Sequence, residues 1–224
     1  QDRPAAIAIT PDSSKAYVAN RNSNTVSVIA TATDTVSSNI PVGFAPLVIA
    51  ITPNGAKAYV ANSTVNTVSV IATATDTVIA TVTVGFVPVA IAITPDGSKV
   101  YVANTLDTVS VIDTATDTVS TTIPVPVGSS TLAIAITPNG AKAYVTNSSA
   151  LGAVSVISTA TDTVSTSIAL GQQRPNAIVI TRDGTKAYVV NDGSNTISVI
   201  STATDTVSST IPVGDFPIGI AVIP

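Results

Sequence analysis

The sequence predicts an all-β protein, a β-propeller built from four-stranded antiparallel blades. One segment recurs five times at intervals of 42 to 44 residues, marked by a tyrosine in each copy, and a period near 40 is typical of propeller blades. Val, Ile, Thr and Ser dominate, and only 10% of the residues are charged, a composition suited to buried or half-buried strands. The recurring tyrosines are Tyr17, Tyr59, Tyr101, Tyr144 and Tyr188.

The repeat covers nearly the whole chain, so a single domain is predicted for residues 1–224. The copies occupy residues 4–45, 46–87, 88–130, 131–174 and 175–216. Residues 217–224 read as one further copy of the first strand, which we expect to be a closing or orphan inner strand.

Each copy divides into four short strands, and the first copy shows the pattern. Its first strand is predicted near Ile7 to Thr10, where nearly every residue is apolar, a pattern that indicates cover on both faces. A turn follows, in most copies Pro-Asn-Gly or Pro-Asp-Gly, the strongest short signal for a hairpin. The second and third strands are predicted at residues 16–19 and 26–29, and the fourth from residue 35 or 36 to 42. Polarity rises along this order, as expected when the fourth strand lies at the rim.

The second strands carry a Tyr-Val-x-Asn motif at residues 17–20, 59–62, 101–104, 144–147 and 188–191. With the IAITPDG and NTVSVIDTATDTV segments, this motif resembles the YVTN family of β-propeller repeats. The resemblance covers essentially the whole chain. It implies a propeller of extracellular character, of surface-layer or cell-surface type, and it implies no enzyme activity and no catalytic residues. Members of that family commonly have about seven blades, within the usual range of propellers, whereas this chain has five copies.

The sixth copy of the first strand, at residues 217–224, has no second, third or fourth strand after it. An unpaired apolar strand is an aggregation hazard. Three explanations remain open: the chain is a fragment of a longer propeller, the last strand closes the first blade, or the strand is donated to another subunit. The absence of Met, even at residue 1, favours a processed form or a piece of something longer.

The composition excludes most kinds of catalytic site. The chain contains no His, Cys, Met or Trp, and all thirteen acidic residues are Asp, so imidazole and thiolate chemistry and the usual zinc ligands are missing. No cofactor and no metal are expected, since no EF-hand spacing is present for calcium. A net charge of −4 with nine scattered Lys and Arg argues against a nucleic-acid partner. No apolar stretch is long enough to insert into a membrane.

The connections of a blade sort to its two ends. The turn end holds the first-to-second and third-to-fourth connections, with the repeated lysines and the TATDTV turns. Repeated Asp and Thr are expected to hydrogen-bond their own backbone, and Lys to keep an edge soluble. The lysines are Lys15, Lys57, Lys99, Lys142 and Lys186, and the aspartates are Asp34, Asp76, Asp117, Asp162 and Asp205.

The loop end holds the second-to-third loops and the connections between blades, where the copies diverge. Variation on a fixed scaffold is where binding usually occurs, and all three phenylalanines lie here, predicted near the mouth of the central channel. The alternative is that each Phe only fills the gap between neighbouring blades. The candidate ligand- or partner-binding residues are Phe44, Phe86, Phe216, Arg174, Gln173, Asp215, Arg21 and Asn22, beside Gln172.

The Asn that ends each second strand is predicted to cap the following turn. Two of these positions, Asn62 and Asn147, also begin Asn-Ser-Thr or Asn-Ser-Ser sequons, which are candidate glycosylation sites if the protein is exported.

Three functions follow as hypotheses. The first is a non-catalytic extracellular or cell-surface scaffold that associates with other proteins or identical subunits, for example in a surface layer. The second is a glycan- or peptide-binding, lectin-like module that uses the Phe-bearing loop end. The third is a propeller lyase or lactonase, which the absence of His and Glu disfavours.

Overall fold

The computed structural model describes residues 2–125, 130–148 and 151–222. These residues form twenty strands and no helix. The strands make five four-stranded sheets, in each of which four consecutive strands lie side by side in chain order. Strand pairs in the first, second, fourth and fifth sheets are antiparallel, for example with Tyr17 opposite Val28. The predicted all-β, β-propeller-like repeat fold is therefore confirmed.

The strand bounds follow the sequence repeat closely. The first and second sheets contain β1 (Pro4–Ile9), β2 (Lys15–Asn20), β3 (Thr25–Ala30), β4 (Thr35–Pro41), β5 (Pro46–Ile51), β6 (Lys57–Asn62), β7 (Thr67–Ala72) and β8 (Thr77–Thr83). The third sheet contains β9 (Pro88–Ile93), β10 (Lys99–Asn104), β11 (Thr108–Asp113) and β12 (Thr118–Pro124). The fourth and fifth contain β13 (Ser130–Ile136), β14 (Lys142–Ser148), β15 (Ala153–Ser158), β16 (Thr163–Ala169), β17 (Pro175–Ile180), β18 (Lys186–Asn191), β19 (Thr196–Ser201) and β20 (Thr206–Pro212).

The chain groups into two compact units. The first comprises the residues up to Val102 together with Ser110–Ser120, and the second comprises Ala103–Val109 and the residues from Thr121 onward. The first two sheets lie wholly in the first unit, the last two lie in the second, and the third sheet contributes to both. The single domain that the repeat predicts for residues 1–224 stays a prediction.

The turns between first and second strands explain why the hairpins form where the sequence places them. In the second repeat the Gly55 amide donates to the Thr52 carbonyl at 2.8 Å, and Gly55 has a φ of +73°. A positive φ is cheap only for glycine. The first repeat has Ser13 at the equivalent place, and Ser13 adopts a φ of +60°. The turn geometry is therefore kept there at the cost of strain in a residue with a Cβ atom.

Each core lies between neighbouring sheets. In the first unit, Tyr17, Val26 and Val28 of the first sheet pack against Ile49 and Val60 of the second. The second sheet packs in the same way on the third through a cluster that includes Tyr59, Val70 and Val102. In the second unit, a cluster with Tyr144 and Val189 joins the fourth and fifth sheets.

Burial is deepest in the second and third strands, because both have a hydrogen-bonded neighbour on each side, and those of the second sheet also have a sheet on each face. Five of the six residues of β6 are buried, whereas only Val82 of the seven residues of β8 is buried. The fourth strands are the most exposed, in line with the prediction, although four of them bury one apolar residue, such as Ile40 or Val82. The first strands are not covered on both faces as their apolar pattern predicts, since β5 is only partly buried and Ile7 and Ile9 of β1 are 61% and 57% exposed.

The segment after β20, predicted as a sixth inner strand, forms no strand from Pro217 to Val222. The last two residues, 223 and 224, lie outside the described part of the chain. A first strand needs the second strand of its own repeat beside it, and none of the described residues provides one for this segment. Its contact to the fifth sheet includes the Pro217 carbonyl, which accepts from Nδ2 of Asn176 at 3.3 Å.

Candidate functional site

The loop end of the first unit presents two exposed phenylalanines. Phe44 and Phe86 lie in the connections that lead into β5 and β9, and their side chains are 62% and 52% exposed. The alternative that each ring fills a gap between repeats is therefore not supported, because a ring that fills a gap would be buried. The residues that follow them, Ala45 and Val87, have positive φ values of 53° and 50° directly before a proline.

This unusual backbone is held by hydrogen bonds from the second-to-third loops. The amide of Ala45 donates to Oδ1 of Asn24 at 2.9 Å. The amide of Val87 donates to Oδ1 of Asn66 at the same distance. Residues with positive φ before proline persist only where their surroundings enforce them, and such positions concentrate at functional sites. Each Phe is thus carried by a connection that is fixed to the loop of its own sheet.

The loop of the next sheet holds the same connection from the other side. The Ser63 amide donates to the Ala45 carbonyl at 3.0 Å, and the Thr64 hydroxyl donates to the Phe44 carbonyl at 3.2 Å. The loop that contains Ser63 and Thr64 also supplies Asn66, which holds the connection behind Phe86. One loop, residues 63–66, therefore positions both aromatic residues.

Arg21 and Asn22, the other predicted residues of the first unit, lie in the loop that ends at Asn24. The Arg21 amide donates to the Arg3 carbonyl at 3.0 Å. Nδ2 of Asn22 donates to Oδ2 of Asp2 at 3.3 Å. Asn22 is exposed, and Arg21 is half-buried. The structure thus links Arg21, Asn22 and Phe44 through one set of hydrogen-bonded loops.

The second unit holds the remaining predicted residues, again around one loop, residues 192–195. The Gln173 amide donates to Oγ of Ser194 at 2.7 Å, and the Arg174 carbonyl accepts from the Asp192 amide at 3.1 Å. Nε of Arg174 lies 3.3 Å from Oδ1 of Asp192, but without hydrogen-bond geometry. The guanidinium itself is largely exposed, so this contact contributes little to stability.

Asp215 and Phe216 lie on the other side of that loop. Asn195 holds both, because its Nδ2 donates to Oδ1 of Asp215 at 2.9 Å and its Oδ1 accepts from the Phe216 amide at 3.0 Å. The Phe216 side chain is 74% exposed, and its φ is 52°. The eight predicted residues therefore fall into two groups, one in each unit.

The turn end contains a set of contacts that the sequence interpretation missed, which we call the latch. In the first latch, Nζ of Lys15 lies 2.8 Å from Oδ2 of Asp76, and the Tyr17 hydroxyl donates to Oδ1 of the same carboxylate at 2.5 Å. Lys15 also donates to the Thr73 carbonyl at 2.8 Å. The lysine and tyrosine come from one repeat, and the aspartate comes from the TATDTV turn of the next.

The latch recurs with nearly the same geometry. Lys57 and Tyr59 both bind Asp117 at 2.7 Å in the first unit. Lys142 and Tyr144 bind Asp205 at 2.7 and 2.5 Å in the second. Burial, and then the hydrogen bond to the carboxylate, raise the pKa of Tyr59 and Tyr144 well above the ordinary tyrosine value. These hydroxyls therefore remain neutral donors at any physiological pH.

The expectation for the turn end was incomplete. Asp12 does bind its own turn, since its carboxylate accepts from the Thr10 hydroxyl at 2.6 Å and from the Ser14 amide at 3.0 Å. These hydrogen bonds lower the pKa of Asp12 to about 2. Asp76 instead binds the preceding repeat, and Lys15 is its ion-pair partner rather than a solubilising edge residue. The sequence signal for the latch was the Lys-x-Tyr pair and the Asp that recur at constant positions in every copy.

The asparagine that ends each second strand does not cap the following turn. Nδ2 of Asn62 donates to Oγ of Ser69 at 2.9 Å and to Oγ1 of Thr67 at 3.1 Å, both on the next strand. Nδ2 of Asn147 likewise donates to Oγ of Ser155 at 2.7 Å. Asn62 and Asn147 are 0% and 1% exposed. The prediction that Asn62 and Asn147 are glycosylation sites is therefore wrong for the folded chain, because a glycan cannot be attached to a buried side-chain nitrogen.

The described residues contain no group of three or more acidic, His or Cys side chains that could hold a metal ion. No helix among them has the length and apolarity needed to cross a membrane.

Comparison with known families identifies the fold. The family model of the choice-of-anchor I domain matches residues 47–217, more than half of the chain. The chain belongs to the choice-of-anchor I domain family. The name of this family indicates a cell-surface-associated, β-propeller-like repeat protein.

Two solved structures resemble this choice-of-anchor I domain. Hydrazine synthase of Kuenenia stuttgartiensis superposes with a TM-score of 0.86 at 25% sequence identity, over 95% of this chain and 67% of that one. A functionally unknown protein from Desulfotomaculum acetoxidans superposes with a TM-score of 0.81 at 22% identity, over 99% of this chain and 75% of that one. No curated protein sequence matches the chain significantly. These likenesses support the repeat fold.

Proposed function

We propose that this choice-of-anchor I domain is a non-catalytic, extracellular scaffold of the YVTN type that binds other proteins through its loop end, as a component of a surface layer or another extracellular assembly. The observation that carries the proposal is the pair of exposed phenylalanines, Phe44 and Phe86, on connections whose backbone is held by hydrogen bonds from the adjoining loops. Rigid, exposed aromatic side chains are typical anchors of protein interfaces, because little conformational entropy is lost when they bind.

Composition supports the non-catalytic part of the proposal. The chain has no His, no Cys and no Glu, so the side chains that most often transfer protons or attack as nucleophiles are missing. The Asp carboxylates of the described latches are already engaged by Lys and Tyr. The absence of a His or Cys ligand also supports a chain that works without a transition-metal cofactor.

A lectin-like function is the second candidate, and the surroundings of Phe44 favour it. Sugars bind where an aromatic face lies beside hydrogen-bonding groups, because their C–H faces pack on rings and their hydroxyls need polar partners. Arg21 and Asn22 supply such groups on the loop that is linked to the Phe44 connection. A glycan or an extended peptide fits this chemistry equally well.

The test is a binding selection on the purified chain. A displayed random-peptide library and a panel of defined glycans are presented to the chain and to its Phe44→Ala/Phe86→Ala variant. Ile79→Ala, which removes a 51% exposed side chain from β8, is the matched control. We expect binders whose affinity falls on the order of 10-fold or more in the Phe variant and is unchanged in the control. Folding should be retained in both, since all three side chains are exposed.

Peptide binders lost only in the Phe variant support the scaffold, and glycans lost only there support the lectin-like module. The absence of any binder, or binding that survives the loss of both phenylalanines, would overturn the proposal that the loop end is a recognition surface.

A further inference from the structure

A cleft opens at the turn end between the first and second sheets, inside the first unit. Its volume is about 400 Å³, within the range of about 300–1,000 Å³ that is typical of small-molecule sites. The first-to-second turns of both repeats line it, together with the start of the turn after β7. The lining residues that bear on its chemistry are Pro11, Asp12, Ser14, Lys15, Asn54 and Ala74.

Asp12 supplies a hydrogen-bond acceptor to this first cleft. Its Oδ1 accepts from the Thr10 hydroxyl at 2.6 Å and from the Ser14 amide at 3.0 Å, and the Ser14 hydroxyl lies 2.9 Å from both carboxylate oxygens. These hydrogen bonds lower the pKa of Asp12 to about 2, so the carboxylate is ionised near neutral pH. Among the residues that the structure describes, Oδ2 has only the Ser14 hydroxyl as a partner, so it can accept a further hydrogen bond from a ligand.

Lys15 and Asn54 supply two donors. Nζ of Lys15 donates to the Thr73 carbonyl and to Oδ2 of Asp76, both at 2.8 Å, so one of its three hydrogens remains for a ligand, while Asp76 neutralises its charge. Oδ1 of Asn54 accepts from a hydroxyl and an amide of its own turn at 2.7 and 3.0 Å, which fixes the orientation of the side-chain amide. Within the described part of the chain, Nδ2 of Asn54 has no acceptor. The first cleft thus presents one acceptor and two donors.

The corresponding cleft between the second and third sheets differs in size and chemistry. It has a volume of about 80 Å³, and Asn54 and Ala56 line it where Asp12 and Ser14 line the first cleft. An amide and a methyl group thus replace the carboxylate and the hydroxyl. Because Asn54 makes the same two turn hydrogen bonds as Asp12, the turn itself requires neither the charge of Asp12 nor the hydroxyl of Ser14. Both groups are therefore available to a ligand.

The geometry points to a neutral sugar residue as the ligand of the first cleft. A sugar hydroxyl both donates and accepts, so one ligand can donate to Asp12 and accept from Lys15 and Asn54. Pro11 and Ala74 provide apolar surface for the C–H face of the ring. A simple cation would pair with Asp12 but leave both donors unmatched, and an anion would meet an ammonium whose charge is already neutralised. This site lies at the turn end and stands apart from the proposed function of the loop end.

Binding is measured by nuclear magnetic resonance titration of the purified chain with D-glucose, D-galactose, D-mannose and N-acetyl-D-glucosamine. We expect at least one of these sugars to bind saturably and to shift the side-chain amide signals of Asn54. Asp12→Asn/Ser14→Ala gives the first cleft the residues of the second. This variant should bind the sugar on the order of 10-fold more weakly or less, because an acceptor is replaced by a donor. Its turn should form as before, since Asn54 and Ala56 already form it in the second repeat.

Two controls locate the site. Asp113→Asn removes a carboxylate charge from the turn end outside the cleft and can still accept from the Ala115 amide, so sugar binding should not change. Phe44→Ala/Phe86→Ala should also bind the sugar as the unmodified chain does. Loss of binding only in the Phe variant would assign the sugar to the loop end, which overturns this inference and leaves the proposed function standing. No saturable binding, binding that survives Asp12→Asn/Ser14→Ala, or a cleft that takes ethylammonium but no sugar would each overturn the inference as well.

Discussion

The turn end and the loop end of each sheet are built on the same four strands, but they differ in how much their residues vary among the repeats. The turn end repeats almost the same residues in every copy, and its Lys, Tyr and Asp side chains bind one another across neighbouring repeats, as at Asp76 and Asp117. The loop end changes in every copy, yet its backbone is fixed by Asn24 and Asn66. The turn end thus joins repeats through charged side chains that recur, whereas the loop end joins them mainly through the backbone, as at Ala45 and Phe44, so that its exposed side chains can differ.

Removing an interior latch should give the largest loss of stability. Asp117→Ala leaves the buried Tyr59 hydroxyl and the Lys57 ammonium without their shared acceptor. Each lost charge-assisted hydrogen bond contributes about 1.5–3 kcal/mol, reduced here by partial solvent exposure. We expect the free energy of unfolding to fall by about 2–4 kcal/mol in urea titrations. The same change at Asp34, which lacks these partners in the described chain, should cost far less in dilute protein, and equal losses would contradict the role of the latch.

A smaller loss should follow from crowding the loop end. A Cβ atom on Gly43 would lie 2.6 Å from Cγ of Asn62, a fully buried side chain that is hydrogen-bonded to Ser69. Gly43→Ala must therefore displace this asparagine, and overpacking of this kind costs about 1–3 kcal/mol. Gly214 is the equivalent residue in the fifth repeat and has nothing within 4 Å of the same position. Thermal unfolding of Gly214→Ala should match that of the parent chain, and a similar drop in both variants would show that contact with Asn62 is not the cause.

How far the sequence predicts these features depends on the separation of the contacting residues. The hairpins were predictable because a turn such as Pro53-Asn54-Gly55 encodes its own geometry within a few residues. The latch was not, because Lys15 and Asp76 are 61 residues apart and their pairing depends on how one sheet packs on the next. The exposure of Phe44 was also hidden, since apolarity alone predicts burial. The loop-end residues were chosen as candidates because the copies diverge there, and their role stays a prediction.

A substitution in the first turn of the first repeat should stabilise the chain modestly. Ser13 adopts a φ of +60° where later repeats have glycine, for example Gly97 at +73°. Ser13→Gly removes the strain of a Cβ atom in this conformation, partly offset by the greater freedom of glycine in the unfolded chain. We expect a stabilisation of about 0.5–1 kcal/mol by calorimetry. The reciprocal change Gly97→Ser should destabilise by a similar amount, and a destabilising Ser13→Gly would show that the serine is favoured for another reason.

The smallest effect should appear in the unfolding of the chain by acid. The first-to-second turns carry an Asp in three repeats and an Asn in the other two, and only the Asp can titrate. The first, third and fifth turns carry Asp12, Asp96 and Asp183, and hydrogen bonds from neighbouring Thr and Ser, or from two Thr at Asp183, lower the pKa of each carboxyl. A lowered pKa in the folded state stabilises the protein above the unfolded-state pKa, and this contribution is lost as pH falls through the folded pKa. For Asp12 that window extends from near pH 4 down to about 2.

The second and fourth turns provide the matched control, because Asn54 accepts from the Thr52 hydroxyl at 2.7 Å and from the Ala56 amide at 3.0 Å without titrating. The triple variant Asp12→Asn/Asp96→Asn/Asp183→Asn should therefore keep the turns and unfold less steeply between pH 4 and 2, as measured by circular dichroism. Asn54→Asp should steepen the acid transition instead. If the triple variant follows the parent curve throughout that window, these exposed carboxylates make no contribution to the acid unfolding of the chain.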